Sequence, residues 1–415
     1  MRTILCAFLT LPLLAADLPQ SKPDEVGMSA DRLKRIHPMI QSHIDAKDYS
    51  GAVTLVARKG KVVHFEAHGM ADIEGNKAMK TDALFWLASM TKPMTAVSIL
   101  MLLEEGKLVL NDPISKFIPE YRNPRVAVWN LPNDPAGAGL KLVPAVREIT
   151  IQDLLTHTSG LANGFEGPAG DYVRRANLPP GGSLDERIRR LAPLPLNFQP
   201  GTQWEYSPST GFDTLGRIVE ILSGMTLEQF FEARIFEPLG MKDTFFTVPQ
   251  NRLADVAVAY TKNDKSLVRP TAMGEVRKQM QADFSGAGGL TGSTQDYLTF
   301  AQMLLNGGQL NGMRLLSRKT VELMTSVATG DLDLRNVAGD QVLKGYGFGL
   351  GVRVRRSTGD NGWMGSLGDF GWAGVLGTYF WIDPKEQLVG LVMIQTRNTR
   401  LREEYPNLVY QAIVD

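Results

Sequence analysis

The chain has 415 residues but a single cysteine, Cys6. That cysteine sits in an apolar leader, so a chain without the leader carries no thiol. Disulfides, thiol nucleophiles and zinc–thiolate sites are then excluded. Charge of one sign is also missing: Lys plus Arg is 44, Asp plus Glu is 44, and the formal net charge is zero. No long-range field draws in nucleic acid or an anionic membrane surface. Beyond the leader, no uninterrupted apolar run reaches the roughly 18 residues that a membrane-spanning helix needs. No glycine-rich phosphate loop follows the first strand pattern. A Gly-x-Ser-x-Gly elbow is absent too, since Gly365-Ser366-Leu367-Gly368 lacks its first glycine.

What is present is a 43% hydrophobic chain, enough for one large core or two medium ones. Residues 1–16 read as a secretory signal. Arg2 is the basic start, Ile4 to Leu14 the apolar stretch, and Ala15 or Ala16 the cut site. The expected location is periplasmic or secreted. Of the five histidines, only His64 and His68 stand at a ligand-like spacing, four apart in a strand-like run. They read as two polar residues on an exposed sheet face, and no metal site is expected.

The organising stretch is Phe85-Trp-Leu-Ala-Ser89-Met-Thr-Lys92-Pro93, running on to Gly106. It reads as an extended approach followed by a helix that begins near Ser89. Ala96, Leu100 and Leu103 form its apolar stripe, and Gly106 is its stop. Pro93 has no N–H, so it fits only the first turn. Ser89 and Lys92 then share one face at a helix start, an arrangement that suits a serine nucleophile beside an amine. Taken alone, Ser-x-x-Lys is better read as a serine cap and a solvated lysine, and the rest of the chain has to change that reading.

Before this stretch, Ser29 caps a helix through Ile44, and Gly51–Ala57 and Lys61–Ala67 form a hairpin about Lys59-Gly60. After it, residues 107–148 read as loops and short turns. Thr150 and Asp153 form a capping box, and His157 to Gly160 a turn, with His157 fastening the turn rather than acting in catalysis. Residues 163–182 read as a surface loop. Helices follow at Leu184–Ala192, from Ser209 to Gly224, and at Thr226–Phe236. Tyr206 precedes the second of these as a packed rim aromatic or, near a lysine, a general base. A glycine turn from Ser285 feeds a helix capped at Ser293, and Ser317 caps another. Strands are expected at Tyr346–Arg355, around Trp363, at Trp372–Ile382 and at Gln387–Gln395, and a closing helix at Arg402–Val414. The strands lie at both ends of the chain and the helices in the middle. That distribution predicts an α+β fold: an antiparallel sheet built from both termini and flanked by helices, with a mostly helical insertion. The divisions are residues 1–16 (signal), 17–85 (first part of the α/β domain), 86–284 (helical domain) and 285–415 (second part).

Three separated segments resemble serine β-lactamases and penicillin-binding proteins, and more closely the class C-like carboxylesterases termed family VIII. Ser-x-x-Lys falls on Ser89-Met-Thr-Lys92. Tyr-x-Asn falls on Tyr206-Ser-Pro208, with proline at the asparagine position. The Lys/His-Thr-Gly strand falls on Trp372-Ala373-Gly374, similar to the esterase branch. Leu155–Leu161 and Gly288–Ser293 also resemble family segments. The resemblance implies a β-lactamase/transpeptidase-like fold and a carboxylesterase for short, neutral esters. Ser89 would attack the ester, Lys92 and Tyr206 would share the base role, and the N–H groups of Ser89 and Val375 would form the oxyanion hole. Trp372, Ala373 and Gly374 would line the substrate. A small-molecule ester is the implied partner, with no cofactor, metal, nucleic acid or integral membrane segment. Pro208 and Trp372 remove groups that would meet anionic β-lactams. A β-lactamase or D-alanyl-D-alanine carboxypeptidase, a transacylase or amidase, and a non-catalytic binding module are the alternatives.

Overall fold

The computed structural model describes residues 17–129, 139–162, 167–176, 183–334 and 343–415. The expected signal segment lies outside them. Among the described residues, no helix is long and apolar enough to cross a membrane.

An eight-stranded sheet runs in the order Tyr346–Phe348, Arg353–Arg355, Phe370–Ala373, Tyr379–Asp383, Leu388–Met393, Gly51–Arg58, Lys61–Asp72, Lys77–Ala78. Every neighbouring pair is antiparallel. The join between the two chain ends pairs Val53 with Met393 and Arg58 with Leu388. Both faces of Gly51–Arg58 are buried. Val53, Leu55 and Ala57 face the main core, while Ala52 and Val56 face a second core under Ile36–Asp45 and Leu401–Tyr410. Alternation in a strand buried throughout therefore serves two layers at once. Lys59 and Gly60 both have positive φ, 51° and 73°, the hand that a two-residue hairpin turn requires.

The helical region packs on the inner face. The Lys92–Glu104 helix meets Thr210–Ser223, which in turn contacts Ile151–Leu155 and Leu184–Leu191. Thr150 and Asp153 close the expected capping box. Ser29, Ser293 and Ser317 each accept an N–H bond at their helix starts. Gly106 and Gly224 adopt the left-handed conformation just past their helices.

The extended approach to Ser89 is a strand, Leu84–Trp86, paired with Thr291–Ser293. Several other expectations need correction. Ser89 lies in a 3-10 turn, Ala88–Thr91, and the α-helix begins at Lys92. That helix is buried all round from Lys92 to Leu102, so it has no single apolar stripe. Residues 107–148 contain a hairpin, Arg125–Trp129 with Leu140–Pro144; the residues between, 130–138, lie outside those described. The expected surface loop at 163–182 contains the helix Gly170–Arg175, and residues 163–166 and 177–182 of it lie outside those described. No strand forms around Trp363, which sits in bends with its ring buried near Tyr346. Tyr346–Arg355 is two paired strands. Trp372–Ile382 is likewise two, because the chain reverses between Gly374 and Thr378 and brings Trp372 opposite Phe380. His64 and His68 are not exposed: the Ile36–Asp45 helix covers that face, and both rings are buried.

Candidate active site

Three chain segments meet at Ser89. The first is the 3-10 turn itself. Ala88 has φ of +47°, a conformation that an alanine adopts only under constraint from its surroundings. That constraint is visible on both sides. Leu87 N–H donates to Leu290 O at 2.9 Å, and Trp86 Nε1–H donates to Gly288 O at 2.7 Å. Gln395 Nε2 donates to Trp86 O at 3.1 Å, and Thr378 Oγ1 to Leu87 O at 3.2 Å.

The second segment supplies Lys92, one turn after Ser89 and fully buried. Its Nζ lies 2.7 Å from Pro208 O, 2.8 Å from Ala287 O and 3.1 Å from Ser89 Oγ. Two backbone carbonyls thus take two N–H bonds, and the third tetrahedral direction points at the serine. Pro208 stands where the resembled motif has asparagine. The carbonyl of this residue, which does not depend on its side chain, holds the lysine.

The third segment supplies Tyr206, whose Oη–H donates to Ser89 Oγ at 2.7 Å. Lys92 Nζ lies 5.2 Å from the Tyr206 ring centre and 5.7 Å from that of Phe212, within cation–π reach of both. The Tyr206 ring packs against His157 at 4.8 Å and Trp372 at 5.4 Å. His157 also touches Trp204, Phe212 and Phe348. Its Nδ1 accepts the Ser207 N–H at 3.2 Å, which places the ring proton on Nε2. Burial, helped by the Lys92 charge, holds this histidine well below its usual pKa, so the ring is neutral. It fastens its turn, as the sequence implied, and in addition forms the floor beneath Tyr206.

Nothing local in the sequence marks the support under Ala287. Asp213, fully buried on the Thr210–Ser223 helix, accepts Ser285 Oγ–H at 2.6 Å and Ala287 N–H at 3.2 Å. Arg187 lies 3.3 Å from both Asp213 and Asp283. The carboxylate therefore holds the loop whose carbonyl holds Lys92. An acid three residues into a helix looks like ordinary N-terminal charge, and only the fold reveals its partners.

Phe370–Ala373 edges the site. Trp372 is buried beneath the aromatic group, Ala373 is part-exposed, and Val375 is exposed. A Cβ on Gly374 would stand 2.1 Å from Thr378 Oγ1 and 2.5 Å from Leu87 O. Only glycine lets this strand end close on the Ser89 turn. Val375 N–H has no hydrogen-bond acceptor among the described residues.

The sequence and the fold have counterparts in known proteins. Residues 36–412 match the Beta-lactamase family. The chain belongs to the β-lactamase family. It is 38% identical to Protein Rv1367c of Mycobacterium tuberculosis (strain ATCC 25618 / H37Rv) over 76% of this chain and 77% of that protein. It is 36% identical to Esterase EstB of Burkholderia gladioli over 52% of each chain. Among solved structures, EstCE1, described as a hydrolase with promiscuous acyltransferase activity, superposes with a TM-score of 0.77 at 26% identity. That superposition covers 93% of this chain and 99% of EstCE1. The protein is a β-lactamase-family serine hydrolase with the expected α+β, β-lactamase/transpeptidase-like fold.

Proposed function

We propose that this β-lactamase-family member is a carboxylesterase acting on short, mostly neutral esters through an acyl-enzyme on Ser89. The observation that carries this reading is the convergence of Lys92 Nζ and Tyr206 Oη on one hydroxyl, at 3.1 and 2.7 Å. Ser89 Oγ attacks the ester carbonyl, and its proton passes to the Lys92–Tyr206 pair. The N–H groups of Ser89 and Val375 bind the developing oxyanion, each worth about 3 kcal/mol in the transition state. Tyr206 returns the proton to the leaving alkoxide. Water then attacks the acyl-enzyme by the same route, releasing the acid. Ala373, backed by the buried Trp372, presents an apolar wall without a cation, which favours neutral esters over carboxylate-bearing β-lactams or peptides.

Purified protein and Ser89→Ala are assayed on p-nitrophenyl esters of short acids, with a reactive phosphonate as mass-spectrometric label. Wild-type turnover with one adduct on Ser89 is expected. Equal turnover in Ser89→Ala overturns the assignment. A chromogenic cephalosporin tests the lactamase alternative, which requires saturable turnover of that substrate. The likeness to EstCE1 also supports acyl transfer at the same site; adding a primary alcohol would then divert acyl groups from acid to new ester.

The leader at 1–16 motivates the further proposal that the protein is exported. Sequencing the amino terminus of protein recovered from the periplasm or medium tests this, and an intact Met1 overturns it.

A further inference from the structure

Far from Ser89, the outer face of the sheet gathers three of the five histidines around one glutamate. His64, Glu66 and His68 alternate along Lys61–Asp72 and so share a face. Glu66 pairs across the ladder with Thr54, His68 with Ala52 and His64 with Val56. This is the face of the second core, opposite the one that carries the active site. His37, on the Ile36–Asp45 helix, closes over it. The Glu66 carboxylate lies 3.8 Å from each of His37 Nδ1, His64 Nδ1 and His68 Nε2. Single ligand atoms of His37, Glu66 and His68 all fall within 4.8 Å of one another. The His37 and His68 rings are 5.1 Å apart, centre to centre.

We propose that His37, Glu66 and His68, with His64 as an adjacent donor, form a site for a divalent transition-metal ion of the zinc class. Imidazole and carboxylate are the ligands that such ions take in the absence of thiolate. Ligand atoms about 2.1 Å from a shared tetrahedral ion stand roughly 3.4 Å apart. The group is slightly more open than that, and its open side faces solvent: His37 and Glu66 side chains are 61% and 47% exposed. The closed side is fixed, since the His68 side chain is fully buried. His68 Nδ1 is also a buried nitrogen without a hydrogen-bond partner. Thr54 Oγ1 lies 2.7 Å from His64 Nε2 and 3.1 Å from His68 Nε2. When His64 Nε2–H donates to that hydroxyl, its Nδ1 lone pair faces Glu66. Metal-bound imidazoles are commonly oriented by such an outer hydrogen bond.

Four strand steps separate Lys61–Asp72 from Phe370–Ala373, roughly 19 Å at about 4.8 Å per step. The ion would therefore clamp helix to sheet and leave ester chemistry untouched. This proposal is independent of the esterase reading.

The test uses tag-free full-length protein, stripped with chelator and exchanged into chelator-free buffer. Zn2+ is titrated by calorimetry and thermal melts, and bound metal is counted by plasma mass spectrometry. One zinc per chain and a melting temperature that rises with free zinc are expected. The exposed-ligand variants His37→Ala and Glu66→Gln should each bind zinc about tenfold or more weakly. Their metal-free melting temperatures and their ester turnover should match the wild type. Absence of stoichiometric zinc, or equal zinc affinity in both variants, overturns the proposal.

Discussion

The Tyr206 phenol donates to Ser89 at 2.7 Å across 117 residues of sequence. The ring is held by His157 on one side and Trp372 on another, so its position does not depend on the hydroxyl. Tyr206→Phe should therefore keep the packing and lose only the proton carrier. A fall in kcat of about 10²–10⁴-fold is expected, with KM nearly unchanged. Steady-state kinetics on one short ester, with Ser89→Ala as baseline, measure it. A loss below tenfold would remove Tyr206 from the proton route.

Asp213 acts on the same serine at one remove. It holds Ser285 and Ala287, and Ala287 O holds Lys92. Asp213→Asn keeps an acceptor oxygen but deletes the charge facing Arg187. Breaking one side of a buried ion pair costs roughly 3–5 kcal/mol. Ser285→Ala removes one bond to a carboxylate and should cost about 1–3 kcal/mol. Urea unfolding should rank wild type, Ser285→Ala and Asp213→Asn in falling stability. Turnover at saturating ester should fall in the same order, because the lysine loses alignment. Full kcat in Asp213→Asn would show that the loop stays in place without it.

The segments most legible in the sequence carry local signals. Ser29, Thr150, Ser293 and Ser317 announce helix starts by side-chain capping, and Lys59-Gly60 announces a hairpin by its turn chemistry. Ser89, Lys92 and Tyr206 were legible through resemblance, since nothing local distinguishes Ser-x-x-Lys from an ordinary cap. The misreadings arise where tertiary contacts decide. Ser89 lies in a 3-10 turn and not at the start of the α-helix, which begins at Lys92. Trp372–Ile382 is apolar but for Thr378, and its reversal is marked only by Gly374 and Gly377. His64 and His68 look polar and exposed until the Ile36–Asp45 helix lies across them. Asp213 carries no local trace of its role, because its partners Arg187, Ser285 and Ala287 come from other segments.

Gly374 sets how closely the edge strand approaches the Ser89 turn. An added methyl would meet Thr378 Oγ1 and the Leu87 carbonyl at 2.1 and 2.5 Å. Thr378 can rotate, but the carbonyl is backbone. Gly374→Ala should push Val375 outward and loosen one oxyanion donor. Losing such a donor costs about 10²–10³-fold in kcat. Thermal unfolding should change little beside that loss, since the clash lies at the end of a strand. Wild-type kcat in a folded Gly374→Ala protein would exclude the Val375 N–H from the oxyanion site.

Acid should weaken the fold through His64 and His68. Burial, the largest cause, and the neighbouring histidines hold both at about 4 in the folded chain. In the unfolded chain they titrate near 6.5. Between these values the unfolded state binds more protons, so stability falls as pH falls. The contribution is fully present above about 6.5 and is lost progressively toward about 4, with a slope of about 1.4 kcal/mol per pH unit for each ring. From pH 7 to pH 5 the pair should cost roughly 2–4 kcal/mol, the lower figure applying if the rings charge together in the unfolded chain with mutual repulsion. Asp415 is a separate case: Lys59 and Arg58 hold it at about 2, so its share is lost only below about 4. Urea unfolding at pH 7, 6 and 5, in chelator so that no metal occupies the rings, measures the slope. His64→Gln with His68→Gln should be less stable at pH 7 yet show a shallower acid limb. Parallel limbs in the two proteins would assign the acid sensitivity to other groups.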